Sequence, residues 1–172
     1  SEVLDPGTCK ISYDTNPSTI DGSVHSTIWN SDTHILDGAY IGTCIEKIPV
    51  PANTEILLLG FSKNLGLPEL RCGLMLSKKK IPTLDVLQKT FEYVGLQSFN
   101  LIASVCKDLD ILTLANKLKT HQLEFCNYFN EFTPSQCALL ATTKNENYDF
   151  YKRPNGVIRV PLGESITKWI TK

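Results

Sequence analysis

The chain has 172 residues, of which 42% are hydrophobic and 20% charged, with a net charge of −1. That is long enough for one domain with a real core, or two small lobes, and ordinary in composition for a globular protein. A nearly neutral surface offers no electrostatic attraction to nucleic acid or an anionic membrane, so neither is expected as a partner.

The one basic run, Lys78-Lys79-Lys80, reads as a solvated loop. No apolar stretch approaches the ~20 residues that span a bilayer. The first residues, Ser1 to Pro6, lack the layout of a signal peptide. There is no initiator Met, which fits a chain that begins inside a longer protein or follows a removed segment.

Six cysteines, at positions 9, 44, 72, 106, 126 and 137, form no CxxC pair. Five sit among apolar or small neighbours and read as reduced, buried thiols, the usage of a cytoplasmic protein. His25, His34 and His121 have no metal-ligand spacing, and no metal site is expected.

In chain order, Cys9 to Tyr13 predicts a short strand running into the turn signal Asn16-Pro17-Ser18. Val24 to Trp29 predicts a short helix. His34 to Asp37 is a second apolar run, ending in a carboxylate. Glu55 to Gly60 is nearly all apolar, the pattern of a strand covered on both faces. Arg71 to Leu76 is a fourth. Short strands separated by long connections predict an α/β layer with a mainly parallel sheet.

The texture then changes. Leu84, Leu87, Phe91 and Val94 recur at helical spacing and predict one amphipathic helix. Phe99 to Phe132 reads as mostly helical, broken near Asp108 to Asp110, with Leu101, Ile102, Val105, Leu112, Leu118, Leu123, Phe125 and Phe129 read as core. The tail predicts a loop from Thr142 to Asn155, a strand from Val157 to Val160 and a helix from Glu164 to Ile170. The expected organisation is an α/β lobe over 1–80 and a mainly helical lobe over 81–172.

The chemistry concentrates in Gly60-Phe61-Ser62-Lys63-Asn64-Leu65-Gly66-Leu67-Pro68-Glu69-Leu70-Arg71-Cys72-Gly73. An apolar strand here delivers a Ser-Lys pair to a loop, with an arginine eight residues on. Partial desolvation at a strand mouth lowers a lysine pKa and frees the amine to attack an aldehyde. The arginine offers a planar fork for phosphate. Taken alone, Lys63 would read as a solvated loop residue.

The segment resembles the S-x-S-K-x-x-G-L-P-G-x-R-x-G signature of class I/II, fold-type-I aminotransferases, which depend on pyridoxal 5'-phosphate (PLP). Lys63, Gly66, Leu67, Pro68, Arg71 and Gly73 fall in register. The resemblance implies that Lys63 forms the Schiff base and moves the proton at substrate Cα, that Arg71 holds the cofactor phosphate, and that Ser62 is a cofactor-binding residue. Asp37-Gly38-Ala39-Tyr40 is similar to the family's D-E-A-Y, which implies Asp37 at the pyridine nitrogen and Tyr40 at the ring's phenolic oxygen. Asn16 to Gly22 is similar to the N-P-x-N-P-T-G turn and implies a cofactor contact from Asn16. Val157-Ile158-Arg159-Val160 resembles the strand whose arginine grips the substrate carboxylate. Singly, Asp37 and Tyr40 would read as a turn, and Arg159 as a surface strand residue.

The departures are specific. Thr19 stands in place of the turn's second Asn, Ile20-Asp21 in place of Pro-Thr, Gly60 in place of a phosphate-binding Ser, and Gly38 in place of Glu. The interval from Lys63 to Arg159 is short for the family, which implies a trimmed small domain. The likeness is to a C-terminal half. The N-terminal half, with its phosphate loop and stacking aromatic, has no counterpart here, which implies a complementary polypeptide or a homo-oligomer. The expected function is aminotransferase-like, acting on an amino acid and an oxo acid, with decarboxylation or β-elimination from the same starting chemistry equally compatible with the motifs. The alternatives are a non-catalytic module derived from that fold, or an unrelated α/β domain in which Asp37 and Lys63 do not converge.

Overall fold

The computed structural model describes residues 9–26, 28–65, 72–91 and 96–163. Strands β1 (Cys9–Thr15), β2 (Ser31–Asp37) and β3 (Thr54–Gly60) pair in parallel, and β4 (Gly73–Ser77) closes the sheet antiparallel to β3. The expected α/β sheet is therefore present, and the four apolar runs are its strands.

The connections differ from expectation. Residues 24–26 and 28–29 carry no helix, so the short helix predicted over Val24 to Trp29 is not formed in the described residues. The physical reason lies in tertiary contacts: the His25 carbonyl, which a helix would give to the Trp29 N–H, accepts from the Asn16 amide, while the Val24 and His25 N–H groups are held by Gln136 Oε1 and Asn16 Oδ1. The link from β2 to β3 contains only a 3-10 turn, Ile41–Thr43. Among the described residues no α-helix connects one parallel strand to the next, whereas parallel strands are ordinarily joined by helical crossovers. Glu55 to Gly60 is half-buried throughout rather than covered, and β4 is exposed along its whole length.

Helix α1 is a single turn, Phe61–Asn64, followed after β4 by α2 (Pro82–Phe91), α3 (Leu96–Asp108) and α4 (Ile111–Tyr128). The break near Asp108 to Asp110 is real. Asp110 caps α4, its side chain accepting from the Leu112 and Thr113 backbone N–H groups, as an N-cap aspartate does. The stripe of α4 that turns inward is Ala115, Gln122, Phe125 and Cys126, while Leu112 and Leu123 are exposed. Leu101 on α3 is likewise exposed while its neighbour Ile102 is buried. The core reading of these stripes holds for Ile102 and Phe125 and fails for Leu101, Leu112, Leu123 and Phe129.

The tail forms a second sheet, antiparallel, of β5 (Phe132–Pro134), β6 (Leu140–Thr143) and β7 (Ile158–Pro161). The expected strand over Val157 to Val160 is β7. β5 and β6 were not expected, and the loop predicted from Thr142 starts inside β6. Both strands are too short to build an alternating pattern. The predicted helix Glu164 to Ile170 lies outside the described residues.

Phe125, Cys126, Phe132, Ala141, Ile158, Val160 and Leu162 form one core between α4 and the second sheet. A second cluster joins the two ends of the chain: Cys44, Cys137 and Leu140, with Val24, Tyr40 and Ile48 packed against them. All six cysteines are free. Cys44, Cys72, Cys126 and Cys137 are buried as expected, whereas Cys9 is exposed. The Cys137 contact and burial push the Cys44 thiol far above its usual range.

Candidate cofactor site

Three of the expected site residues lie at one end of the first sheet. Asp37 ends β2 and pairs with Leu58 of β3. Two residues past Leu58 the strand ends at Gly60, and α1 begins with Phe61, Ser62 and Lys63. The carboxyl ends of parallel strands are where open α/β sheets present ligands.

Asp37 is held on both oxygens. Oδ1 accepts from the Ala39 backbone N–H at 2.9 Å, and Oδ2 accepts from the Tyr13 hydroxyl at 2.5 Å. Tyr13 lies on β1, and its register partner is Ile35, two residues before Asp37, so both side chains leave the sheet on one face. Local desolvation of the hydroxyl, the hydrogen bond to Asp37 and that carboxylate's charge push the Tyr13 phenol up to about 12. The sequence reading missed Tyr13 and used it only as a strand residue. The available signal was its place on the same alternating face as the carboxylate, one strand over.

Gly38 has a geometric role. A Cβ there would meet Ile41 Cδ1 at 2.4 Å and the Leu58 carbonyl at 3.1 Å, so the chain leaves β2 through a position with no room for a side chain. Gly60 is different: a Cβ would meet only Ala39 atoms, at 3.7 Å and beyond, an ordinary contact.

Tyr40 packs on the Cys44–Cys137–Leu140 cluster, and Lys63 Nζ stands 5.5 Å from its ring centroid. Lys63 is thus brought beside Tyr40, which lies three residues after Asp37. Lys63 is exposed, not partly desolvated as the apolar strand suggested. The reason is that α1 is a single turn that carries the side chain beyond the sheet. Ser62 is half-buried beside it. Arg71, with Gly66, Leu67 and Pro68, lies outside the described residues.

Asn16 follows β1 through a cis peptide bond to Pro17, and its side chain is buried. Its amide donates to the His25 carbonyl at 2.7 Å and accepts from the His25 N–H at 3.3 Å, while its backbone N–H donates to the Asp37 carbonyl at 3.1 Å. Asn16 therefore ties the turn to the end of β2. The turn closes at Gly22, whose φ of 77° is left-handed and whose hydrogen side faces Ser135. The Gly22 carbonyl accepts from Cys137 N–H at 2.9 Å.

Arg159, on β7, reaches the same turn: Nη1 donates to the Thr19 carbonyl at 2.8 Å. Its Nε is buried without a hydrogen-bond partner. A cavity of about 960 Å³ lies elsewhere, bounded by Asp21, Glu131, Thr133, Thr142, Lys144 and Asp149, and Asp37, Tyr40 and Lys63 do not line it. No group of His, Cys, Asp or Glu suited to a metal ion occurs among the described residues. No helix among them is long and apolar enough to cross a membrane.

No family model matches the sequence, and no curated protein sequence does either. Solved structures do match. A Methanococcus jannaschii protein with an active site similar to kynurenine aminotransferases superposes with a TM-score of 0.68 at 16% identity, over 94% of this chain and 55% of that one. Histidinol-phosphate aminotransferase from Sinorhizobium meliloti, solved in complex with pyridoxal-5'-phosphate, gives 0.59 at 19%, over 94% and 57%. L-threonine-O-3-phosphate decarboxylase from Porphyromonas gingivalis gives 0.58 at 15%, over 95% and 65%. The chain carries part of the aminotransferase fold. This aminotransferase-fold chain spans only a little over half the length of the structures it matches, and it does so with nearly all of its own residues.

Proposed function

We propose that this chain is the cofactor-holding part of a PLP-dependent, aminotransferase-like enzyme that acts on an amino acid and its oxo acid, completed by a second polypeptide or a second copy. The observation that carries the reading is the contact of Lys63 Nζ, 5.5 Å from the ring centroid, with Tyr40, which lies three residues beyond Asp37 at the carboxyl end of a parallel strand.

The residues fit the group. Lys63 offers an accessible amine to hold it covalently, and Asp37 a carboxylate for its pyridine nitrogen. Tyr40 brings a phenol to its ring oxygen, and the Asn16 amide retains a second N–H for the same region. Arg71 is the phosphate ligand of this reading, and Ser62 a further cofactor contact. Bound PLP would supply an electron sink for bonds at the substrate Cα. Lys63 would then act as the base that takes and returns the Cα proton. Arg159 would receive the substrate carboxylate through its unpartnered Nε, next to the turn it already holds.

The need for a complement follows from the sheet. Ile11 is 64% exposed, Tyr13 56% and Met75 43%, and all three belong to the face that carries Asp37. A site with an open wall leaves water in competition with each of its dipoles. The free thiols are consistent with a reducing, cytoplasmic setting.

A second reading, a non-catalytic module built on the same fold, is favoured by the exposure of Lys63 and by Thr19 and Gly60 at ligand positions. Incubation with PLP, borohydride reduction and peptide mapping separate the two. One pyridoxyl group per chain at Lys63 is the outcome expected of the first reading. Diffuse labelling, or none, would overturn it. The module reading further expects Lys63→Ala to leave the biological role intact.

A further inference from the structure

Tyr13 has no part in the family resemblance, yet its hydroxyl makes the shortest contact with Asp37. With Oδ1 committed to the Ala39 N–H, the Tyr13 hydroxyl fixes the second oxygen, and the carboxylate has no freedom to rotate about its last bond. Each oxygen retains a lone pair. From this geometry we infer that Tyr13 is a positioning residue, which holds Asp37 at a fixed angle to receive the pyridine nitrogen of the cofactor.

The inference rests on the PLP reading above and deepens it, by giving the Asp37 carboxylate an orienting partner. The arrangement is built for a permanent donor. A phenol pushed up to about 12 stays protonated across the working range of pH, so the hydrogen bond never inverts. It also comes from a neighbouring strand, not from the loop that carries Tyr40, so movement at the mouth of the site leaves it in place.

Two measurements test it. The first needs no cofactor: the phenolate absorbance of the chain is titrated and the Tyr13→Phe titration subtracted, which isolates one of six tyrosines. The Tyr13 component should titrate near 12 and fall toward the ordinary tyrosine value of about 10 in Asp37→Asn. A component already near 10 in the unmodified chain would overturn the contact.

The second follows PLP binding by absorbance and by borohydride-trapped label at Lys63. Tyr13→Phe should weaken binding about threefold to tenfold, the size of one charge-assisted hydrogen bond partly compensated by water. The same change made in Asp37→Asn should have no further effect. Equal binding by the unmodified chain and Tyr13→Phe would overturn the positioning role and leave the PLP reading standing. Failure of the unmodified chain to take PLP, with the Tyr13 titration still displaced, would overturn the PLP reading and the role built on it, leaving the hydrogen bond alone.

Discussion

Arg159 donates from Nη1 to the carbonyl of Thr19 at 2.8 Å, across 140 residues of sequence. The contact joins the second sheet to the turn that follows β1. Replacing Arg159 with Ala should lower stability by about 1 kcal/mol, the net value of one such bond. It should also abolish any measurable response of the chain to an oxo acid. Arg159→Lys should recover most of the stability and little of the response, because an ammonium lacks the second, fixed donor. Urea midpoints and calorimetric titration with an oxo acid check the two halves separately.

Gln122 is the polar member of the inward stripe of α4. It is fully buried, and its Nε2 donates toward the carbonyls of Ser135, Cys137 and Leu140 at 3.1, 3.0 and 2.6 Å. These carbonyls lie in and beside the turn between β5 and β6, and each has a second donor in Lys119 Nζ or the Ser135 hydroxyl. Gln122→Leu keeps the volume and removes one shared donor, at a cost of about 1 kcal/mol. Denaturant midpoints should fall accordingly, with an unchanged slope.

Gly22→Ala should cost about 2–3 kcal/mol, partly because the residue has a φ of 77° and partly because a Cβ would lie 2.3 Å from Ser135 Oγ. Ser135 cannot yield cheaply, since its hydroxyl serves the Cys137 and Leu140 carbonyls. Gly22→Asn is the informative comparison. Asn tolerates left-handed backbone, so a loss as large as that of Ala assigns the cost to the contact with Ser135. Thermal melts of the two variants decide it.

His34 should make the chain acid-sensitive. Its ring is fully buried, Nδ1 shares a hydrogen bond with Ser12 Oγ at 2.8 Å, and Nε2 has no partner. Burial holds its pKa below the ordinary value near 6.5, and the charge of Asp14 opposes that shift without reversing it. The unfolded chain therefore binds a proton more readily than the folded one. Stability from this group is complete above about pH 6.5 and is lost as pH falls from there toward the lowered folded-state value. His34→Gln should flatten that part of the curve, seen as a smaller difference between urea midpoints at pH 7.5 and pH 5.

Much of the fold was legible because the strands of the first sheet and the helices after it each carry a period long enough to read. Apolar runs ending at Asp37 and Gly60 mark where β2 and β3 stop, and those ends carry the site. The second sheet was not legible: Phe132–Pro134 and Leu140–Thr143 are too short to alternate, and what fixes them is Gln122, a polar residue that a search for apolar stripes passes over. Tyr13 was hidden for a related reason. Its partner is 24 residues away, and only strand register brings the two together. The helix expected over Val24 to Trp29 failed because its backbone groups are claimed by Asn16 and Gln136, neither of which local propensity can see.

Strand β4 carries a consequence for the life of the molecule. Leu74, Met75 and Leu76 are consecutive and exposed, on the edge strand of the sheet among the described residues, so apolar side chains project on both sides of it. Such an edge pairs readily with any extended segment it meets. Left bare, it makes loss of the chain second order in its own concentration.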